Sequence, residues 1–196
     1  LGHSHPDISA TINEQSKTLI HTSNAFIIKQ QEKLAERLCK LTGLANAFLC
    51  NSGAEAVEAA IKIARKYGND QHIKSPKIIV MENSFHGRTL AALSATAGEK
   101  AHKGFYPLID GLLRVPYNNM IDEVQSGFCR TGKWFGYQHS KIIPDVVTVA
   151  KALGNGIPIG ACLTNKKSST VLTPGSHGST FGGNFLSTSV GLKVLD

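Results

Sequence analysis

Short apolar runs alternate with amphipathic segments along this chain, and the alternation limits the folds open to it. Residues 28–41 carry leucines at helical spacing and stop before Gly43. A second helical segment starts at Ser52 with a Ser-x-x-Glu capping pattern and is predicted to end near Gly68. Strand-like runs occupy residues 47–50, 77–81, 146–149 and 159–163. Strands that alternate with helices predict an α/β fold, in which helices cover a sheet.

The composition is that of a globular protein and argues against two kinds of partner. The chain is 41% hydrophobic and 18% charged, with a net charge of +7. Basic residues in the segment 28–41 are interleaved with Glu32 and Glu36, which is typical of a solvated helix face and not of a nucleic-acid surface. No apolar run approaches the ~18 residues that a membrane span requires. We therefore expect neither nucleic acid nor a membrane as a partner.

Cysteine and histidine usage gives two further expectations. The four cysteines are far apart and form no CxxC pair, which is typical of a protein from the reducing cytoplasm. His3 and His5 have a spacing that suits a metal ion, but a structural loop is the favoured interpretation. We therefore expect a cytoplasmic protein without a metal site.

The strand pattern is interrupted at one point. The run MIDEV at 120–124 is typical of the end of a buried strand, whereas the preceding PYNN at 116–119 signals a turn. Two apolar residues are a short lead, because a strand usually runs ~5–6 residues. The sequence therefore predicts that residues are missing between Asn119 and Met120.

Chemically active residues follow the predicted strands, where ligands bind in open α/β sheets. Ser52, Gly53 and Ala54 open a helix whose free N–H groups and dipole suit a phosphate. Lys151 is either a solvated surface lysine or a partly desolvated amine that attacks a carbonyl. Asp122 either caps a turn or is a buried carboxylate that keeps a cationic partner protonated. Together these three features match the phosphate, the aldehyde and the ring nitrogen of pyridoxal phosphate.

Five motifs, in order along the chain, resemble those of the class III, ornithine-type aminotransferases of pyridoxal-phosphate fold type I. They are NSGAEA at 51–56, FHGRT at 85–89, DEVQSG at 122–127, AKALG at 150–154 and GSTFGGN at 178–184. The resemblance implies a cofactor-binding large domain over residues 31–196, with a mostly parallel sheet, preceded by an N-terminal segment over residues 1–30. It also implies that the small domain of the family is largely missing from this chain, as are several dozen residues between Asn119 and Met120.

The same resemblance assigns roles around the cofactor ring. Lys151 forms the Schiff base with pyridoxal phosphate and moves the substrate proton, and Asp122 pairs with the ring nitrogen. Val124 and Phe85 cover the two ring faces, and Gln125 lies near the phenolic oxygen. An ordinary strand residue and an ordinary core aromatic are the alternatives for Val124 and Phe85.

The remaining site residues implied by the resemblance bind phosphate and substrate. The phosphate set consists of Ser52, Gly53, Ala54 and, from the neighbouring subunit of a homodimer, Thr180. Glu123 belongs to the cofactor-binding set, and Ser179 lies near the substrate. Arg88 binds a substrate carboxylate, because its planar fork matches a carboxylate in two-pronged fashion. A plain surface cation is the alternative for Arg88.

Three further segments narrow the substrate class. GHSHPDI at 2–8, LIHTSN at 19–24 and the run at 94–118 are most similar to the branch of the class that acts on N2-acetylornithine, with 2-oxoglutarate as acceptor, in arginine biosynthesis. That branch often also serves succinyldiaminopimelate in lysine biosynthesis. Ornithine, succinylornithine and 4-aminobutyrate are the alternative amino donors.

Two function classes outside the transaminases remain as alternatives. MIDEV is similar to the acidic strand end of a P-loop ATPase, but the chain contains no G-x-x-x-x-G-K-[ST] phosphate loop. The basic charge suits a nucleic-acid-binding module, for which salt-dependent retention on DNA is the test.

Overall fold

A computed structural model describes residues 2–115, 123–140 and 142–196 of the chain. The elements, in chain order, are α1 (Pro6–Thr18), α2 (Lys29–Thr42), β1 (Asn46–Cys50), α3 (Gly53–Asp70), β2 (Ile78–Met81), α4 (Leu90–Ala95), α5 (Glu99–His102), β3 (Leu112–Val115), β4 (Val146–Val149), β5 (Gly160–Thr164), α6 (Lys166–Ser169) and α7 (Phe185–Leu195). Short 3₁₀ turns span Gly136–His139 and Lys151–Leu153.

The first sheet has three strands in the order β1-β5-β4. β5 runs antiparallel to both neighbours, with Cys50 opposite Gly160 and Val149 opposite Ala161. β1 and β4 therefore run in the same direction, and their carboxyl ends lie together at one end of the sheet.

The second sheet consists of β2 and β3, which pair in parallel from Ile78 opposite Leu112 to Met81 opposite Val115. The α/β class predicted from the sequence is confirmed. The direction of β5 is an addition that the sequence pattern did not specify.

Helices cover both faces of the first sheet, because its strands alternate two sets of buried side chains. Val147, Val149, Ala161 and Leu163 form one core with residues of α2 and α7. On the other face, Cys50 and Cys162 pack against α3. The carboxyl ends of β1 and β4 are thus held between two helical layers.

The six helices and strands predicted from the sequence lie within two residues of their observed bounds, and the end of α3 shows what sets one of these differences. Gly68 was expected near the end of this helix, but α3 continues through Asp70. A Cβ at Gly68 would lie 2.5 Å from Cβ of Pro76, so the glycine permits close packing of a loop instead of ending the helix.

Two predictions from the sequence concern His5, near the start of the chain, and the junction between Asn119 and Met120. The His5 ring accepts the N–H of Asp7 at 3.3 Å and so caps α1. The junction between Asn119 and Met120 lies outside the described residues. Within the described ranges, none of the helices combines the length and apolar character that a bilayer span requires.

Candidate active site

The start of α3 is fixed by a serine cap. Ser52 Oγ accepts the N–H of Glu55 at 3.2 Å, as the capping pattern predicts. The Glu55 carboxylate in turn accepts the Ser52 hydroxyl at 3.2 Å and the N–H of Asn51 at 3.4 Å. The first two N–H groups of the helix, those of Gly53 and Ala54, lie at the positive end of an 18-residue helix, which favours an anion.

Three separate segments meet at Gly53. A Cβ at this position would lie 2.7 Å from Cγ1 of Val124 and 3.4 Å from Cβ of Ala150. Only a glycine allows this approach. The start of α3, the loop that follows Glu123 and the residue before Lys151 are therefore in direct contact. This contact is what a single site built from the three segments requires.

Lys151 stands directly beyond β4, at the first residue of the 3₁₀ turn. Its side chain is exposed, and Nζ donates to Oε1 of Gln125 at 2.5 Å. Its φ of 46° is left-handed, a conformation that costs a residue with a side chain about 1–2 kcal/mol. The fold thus holds a strained backbone at the position of the one candidate nucleophilic amine and pairs that amine with Gln125.

Among the described residues, Glu123 is a buried carboxylate of the site. It is 2% exposed, and its two oxygens accept the N–H of Tyr137 at 2.9 Å and the hydroxyl of Ser126 at 2.6 Å. Its own N–H donates to the carbonyl of Thr148 at 3.1 Å. Glu123 therefore fastens the loop that carries Val124 and Gln125 to β4, and its contact with a cofactor stays a prediction. Asp122 lies outside the described residues.

The loop from Phe85 to Arg88 lies over the start of α3. A Cβ at Gly87 would lie 3.0 Å from Cβ of Ala54, and Gly87 has a positive φ of 138°. The Thr96 hydroxyl accepts the N–H of His86 at 2.9 Å, which anchors the loop from below. Cζ of Arg88 lies 5.1 Å from the Phe85 ring centroid, within cation–π range. Both side chains are exposed and can contact a ligand.

The loop at 178–184 is tied to the same helix start. Ser179 Oγ donates to Glu55 at 2.9 Å and accepts from Nδ2 of Asn51 at 2.9 Å. Thr180, the next residue, is exposed. Sequence reasoning treated Glu55 only as a helix cap and missed this second contact. The signal was the pair of polar residues, Asn51 and Glu55, that flank the cap four positions apart.

The buried cysteines contribute packing and not a nucleophile. Burial raises the pKa of Cys50 and of Cys162 to about 12. Both thiols are therefore protonated near neutral pH, where the thiolate is the reactive form.

The residues that follow β1, β2 and β4 thus form one site around the start of α3, and family comparison identifies the class. The model of the family "Aminotransferase class-III" matches residues 1–121 and 119–196. The chain belongs to the class-III aminotransferases.

Among curated relatives, the acetylornithine aminotransferase of Nitrosomonas europaea is 46% identical over the whole chain, and that of Gloeobacter violaceus is 42% identical over 99% of it. The chain spans 63% and 60% of the lengths of these two relatives. Its alignment with the first has 246 positions against 196 residues in the chain, a difference of 50.

Solved structures of the family have the same fold. The ornithine aminotransferase of Toxoplasma gondii superposes with a TM-score of 0.94 at 28% identity and covers 99% of this chain, which spans 59% of that protein. The acetylornithine aminotransferase of Elizabethkingia anophelis gives a TM-score of 0.82 at 32% identity, with 100% and 61% covered.

Class-III aminotransferases depend on pyridoxal phosphate, and the described residues fit that group. The start of α3 suits the phosphate, the Lys151 amine suits the aldehyde, and the apolar Val124 and Phe85 suit the ring. The close contact at Gly53 keeps the start of α3 and the residue before Lys151 within one small region. One ligand can therefore place its phosphate at the helix start and its aldehyde at Lys151.

Proposed function

We propose that this chain carries the cofactor-binding part of an aminotransferase that moves the terminal amino group of N2-acetyl-L-ornithine to 2-oxoglutarate. The proposal rests on the exposed Lys151 amine, which donates a hydrogen bond to Gln125. The contact between Ala150 and Gly53 holds this residue beside the start of α3. Identity of 42–46% to acetylornithine aminotransferases supports this substrate class.

The residues of this chain would hold the cofactor from three sides. Gly53 and Ala54 would donate N–H groups to the phosphate, with Ser52 beside them. Val124 and Phe85 would flank the ring. When bound, pyridoxal phosphate supplies an aldehyde for amines and a ring that accepts electrons from the substrate carbon.

Proton movement and substrate binding fall to other side chains. Lys151 Nζ would hold and return the proton, and Gln125 orients that amine through their hydrogen bond. Arg88 would bind a substrate carboxylate through two parallel hydrogen bonds. Asp122 is proposed as the partner of the ring nitrogen, and Glu123 as part of the same cofactor set.

The assembly is proposed to be a cytoplasmic homodimer in which Thr180 serves the phosphate of the neighbouring site, and Ser179 is proposed to lie near the substrate. The side chain of Asn24 donates to the carbonyls of Ser179 and Gly182 at 3.4 and 3.3 Å, so the segment before α2 lies against the loop at 178–184. Phe26 and Ile27 in that segment are 66% and 79% exposed, which supports a subunit contact here. Residues 1–30 are proposed as the segment that leads into the large domain.

The role of Lys151 is tested by covalent labelling. Incubation of the chain with pyridoxal phosphate, borohydride reduction and peptide mass spectrometry should place one label on Lys151. Lys151→Ala should remove this label, whereas Lys33→Ala, which changes an exposed lysine of α2, should retain it. Equal labelling of the Lys151→Ala protein would contradict the proposal.

Ornithine is a second candidate donor, because the ornithine aminotransferase of Toxoplasma gondii superposes with a TM-score of 0.94. Steady-state assays with acetylated and free ornithine separate the two. A higher kcat/KM for acetylornithine is expected, and a higher value for free ornithine would assign the chain to the other branch.

A further inference from the structure

The hydroxyl of Thr96 lies under the loop at 85–88, and its hydrogen-bonding capacity is fully used. The oxygen accepts the N–H of His86 at 2.9 Å and the N–H of Gly87 at 3.2 Å. The O–H faces the carbonyls of Gly87 and Ala92 at 3.1 and 3.0 Å and donates to one of them. Thr96 is 3% exposed, so these bonds are shielded from water.

These bonds fix the course of the backbone directly before Arg88. The φ of Gly87 is 138°, and a Cβ there would lie 2.9 Å from Cβ of Ala92 and 3.0 Å from Cβ of Ala54. The glycine is therefore packed between α4 and α3, without room for a side chain. Together, this packing and the Thr96 hydroxyl leave the loop little freedom where it leads into Arg88.

Thr96 is itself held from the side of the second sheet. Nη2 of Arg114, in β3, donates to the carbonyls of Thr96 and Ser94 at 2.7 Å each. Nη1 of the same side chain donates to the carbonyl of Ala95 at 3.1 Å. Nε2 of His102 donates to the Thr96 carbonyl at 2.8 Å. The last carbonyls of α4 thus have the partners that the helix itself does not supply, and Thr96 is fixed at both its backbone and its side chain.

The loop at 85–88 presents its side chains to a cavity of about 420 Å³. Phe85, Arg88 and Lys100 are among the residues that line this cavity, and none of the described lining residues is acidic. Cζ of Arg88 lies 5.1 Å from the Phe85 ring centroid. The guanidinium is therefore oriented by the ring and open to an anionic ligand.

We propose that Thr96 is a positioning residue, whose hydroxyl fixes the loop so that Arg88 presents two N–H groups to a substrate carboxylate. The inference rests on the proposed function, in which Arg88 binds that carboxylate. A two-pronged bond requires the guanidinium and the carboxylate to share a plane, so movement of the loop weakens both hydrogen bonds at once. Thr96 acts through the loop backbone and not by contact with the substrate.

The first test separates the hydroxyl from the volume of the side chain. Thr96→Val keeps the shape and removes the hydroxyl, whereas Thr96→Ser keeps the hydroxyl. In the intact 196-residue chain, Thr96→Val should speed hydrogen exchange at the amides of His86 and Gly87 about tenfold or more, because both N–H groups lose their acceptor. Thr96→Ser should exchange as the parent does. Thr170→Val, at an exposed threonine whose hydroxyl donates to the carbonyl of Lys167, is the matched control and should leave both amides unchanged.

The second measurement reports on Arg88 itself. Phenylglyoxal modifies arginine side chains, and mass spectrometry of the Arg88 peptide follows the rate as 2-oxoglutarate is added. In the parent chain, 2-oxoglutarate should slow this modification. Thr96→Val should raise the concentration that gives half protection about fivefold or more, and Thr96→Ser should stay within about twofold of the parent. A merely structural role would change the free energy of unfolding, which urea denaturation measures separately, and not the half-protecting concentration of the folded protein.

A variant on the other side of Thr96 gives the same test should Thr96→Val not fold. Arg114→Met removes the bonds from β3 to the carbonyls of Thr96 and Ser94. It should raise the half-protecting concentration of 2-oxoglutarate about twofold or more, because Thr96 is then held less firmly. Arg130→Met, at an exposed arginine, is its control and should not change this concentration.

Three outcomes would overturn the inference. The first is an unchanged half-protecting concentration in Thr96→Val or, where that variant does not fold, in Arg114→Met. The second is an equal rise in Thr96→Val and Thr96→Ser, because the effect would then follow side-chain volume and not the hydroxyl. The third is the absence of protection in the parent, because Arg88 would then bind no carboxylate.

Labelling of Lys151 by pyridoxal phosphate distinguishes this inference from the proposed function. A labelled Lys151 with no effect of Thr96→Val on Arg88 retains the proposed function and removes the role of Thr96. An unlabelled Lys151 with the expected effect on Arg88 removes the proposed function and retains the role of Thr96 in positioning the guanidinium.

Discussion

The two sheets of this protein differ in how completely helices cover them. In the β1-β5-β4 sheet, Val147, Val149, Ala161 and Leu163 are 0% exposed between α2, α7 and α3. In the β2–β3 sheet, Leu113 is 48% exposed. The first sheet therefore has a complete core, whereas the second has one largely open face.

This difference explains where the candidate site is built. Ser52 follows β1, Lys151 follows β4, and Glu123 bonds to the carbonyl of Thr148 in β4. The groups that would hold the cofactor, or form a covalent bond with it, are thus attached to the covered sheet. The less covered sheet contributes Phe85 and Arg88, which follow β2 and are exposed. A closely packed core holds the side chains attached to it in a fixed geometry, which a catalytic site requires.

The largest expected difference between the two sheets is the loss of stability when a leucine is shortened to alanine. Leu163→Ala leaves a cavity in a fully buried site and should lower the free energy of unfolding by about 2–5 kcal/mol. Leu113→Ala, the same change in the second sheet, should cost roughly 0.5 kcal/mol or less. Urea denaturation monitored by circular dichroism measures both. Equal losses in the two variants would remove the distinction between the sheets.

A smaller effect is expected from the carboxylate that fastens the site loop to the first sheet. Glu123→Ala leaves the buried N–H of Tyr137 and the Ser126 hydroxyl without their acceptor, at a cost of about 2–3 kcal/mol. Glu82→Ala, at an exposed carboxylate that follows β2, should change the free energy of unfolding by roughly 0.5 kcal/mol or less. Comparable denaturation midpoints for the two variants would show that the loop is not held by Glu123.

Local patterns predicted the covered sheet well and its strand directions poorly. The β-branched run before Lys151 and the Ser-x-x-Glu pattern at Ser52 depend on neighbouring residues, so they could be recognised in the sequence. All five residues of β5 are buried, so the strand carries no alternation that would reveal its direction or its central place. The close packing of Gly68 in α3 against Pro76 is a tertiary contact that helix propensity does not contain.

The candidate site also contains residues that the motifs predicted and contacts that they did not. The motifs selected Lys151, Gln125, Gly53 and Ala54, and the structure brings these residues together. The bond between Ser179 and Glu55 joins residues 124 positions apart, and the bonds that Glu123 makes to Ser126 and Tyr137 depend on loop geometry. Such contacts require the folded chain, so helix and strand patterns could not have predicted them.

The smallest expected effect is a pH dependence that comes from Tyr137, which packs in the core of the covered sheet. Burial, with the nearby Glu123 charge adding to it, raises the pKa of Tyr137 to about 12. A tyrosine in the unfolded chain loses its proton near pH 10. The stabilisation from the protonated phenol is therefore complete below about pH 10 and is lost as the pH rises towards 12. Between pH 9 and 11 the loss should be about 1.4 kcal/mol.

Other groups titrate in this range, so the measurement is a difference between variants. Tyr137→Phe loses the hydrogen bond to the carbonyl of Thr42 and should be less stable than the parent at pH 8. Its free energy of unfolding should nevertheless fall less than that of the parent between pH 9 and 11, because no phenol remains to ionise at this site. Tyr106→Phe, at a tyrosine that is 65% exposed on the loop leading to β3, should keep the parental pH dependence. If Tyr137→Phe and the parent lose equal stability over this range, the buried phenol beside Glu123 does not control the alkaline limit of the fold.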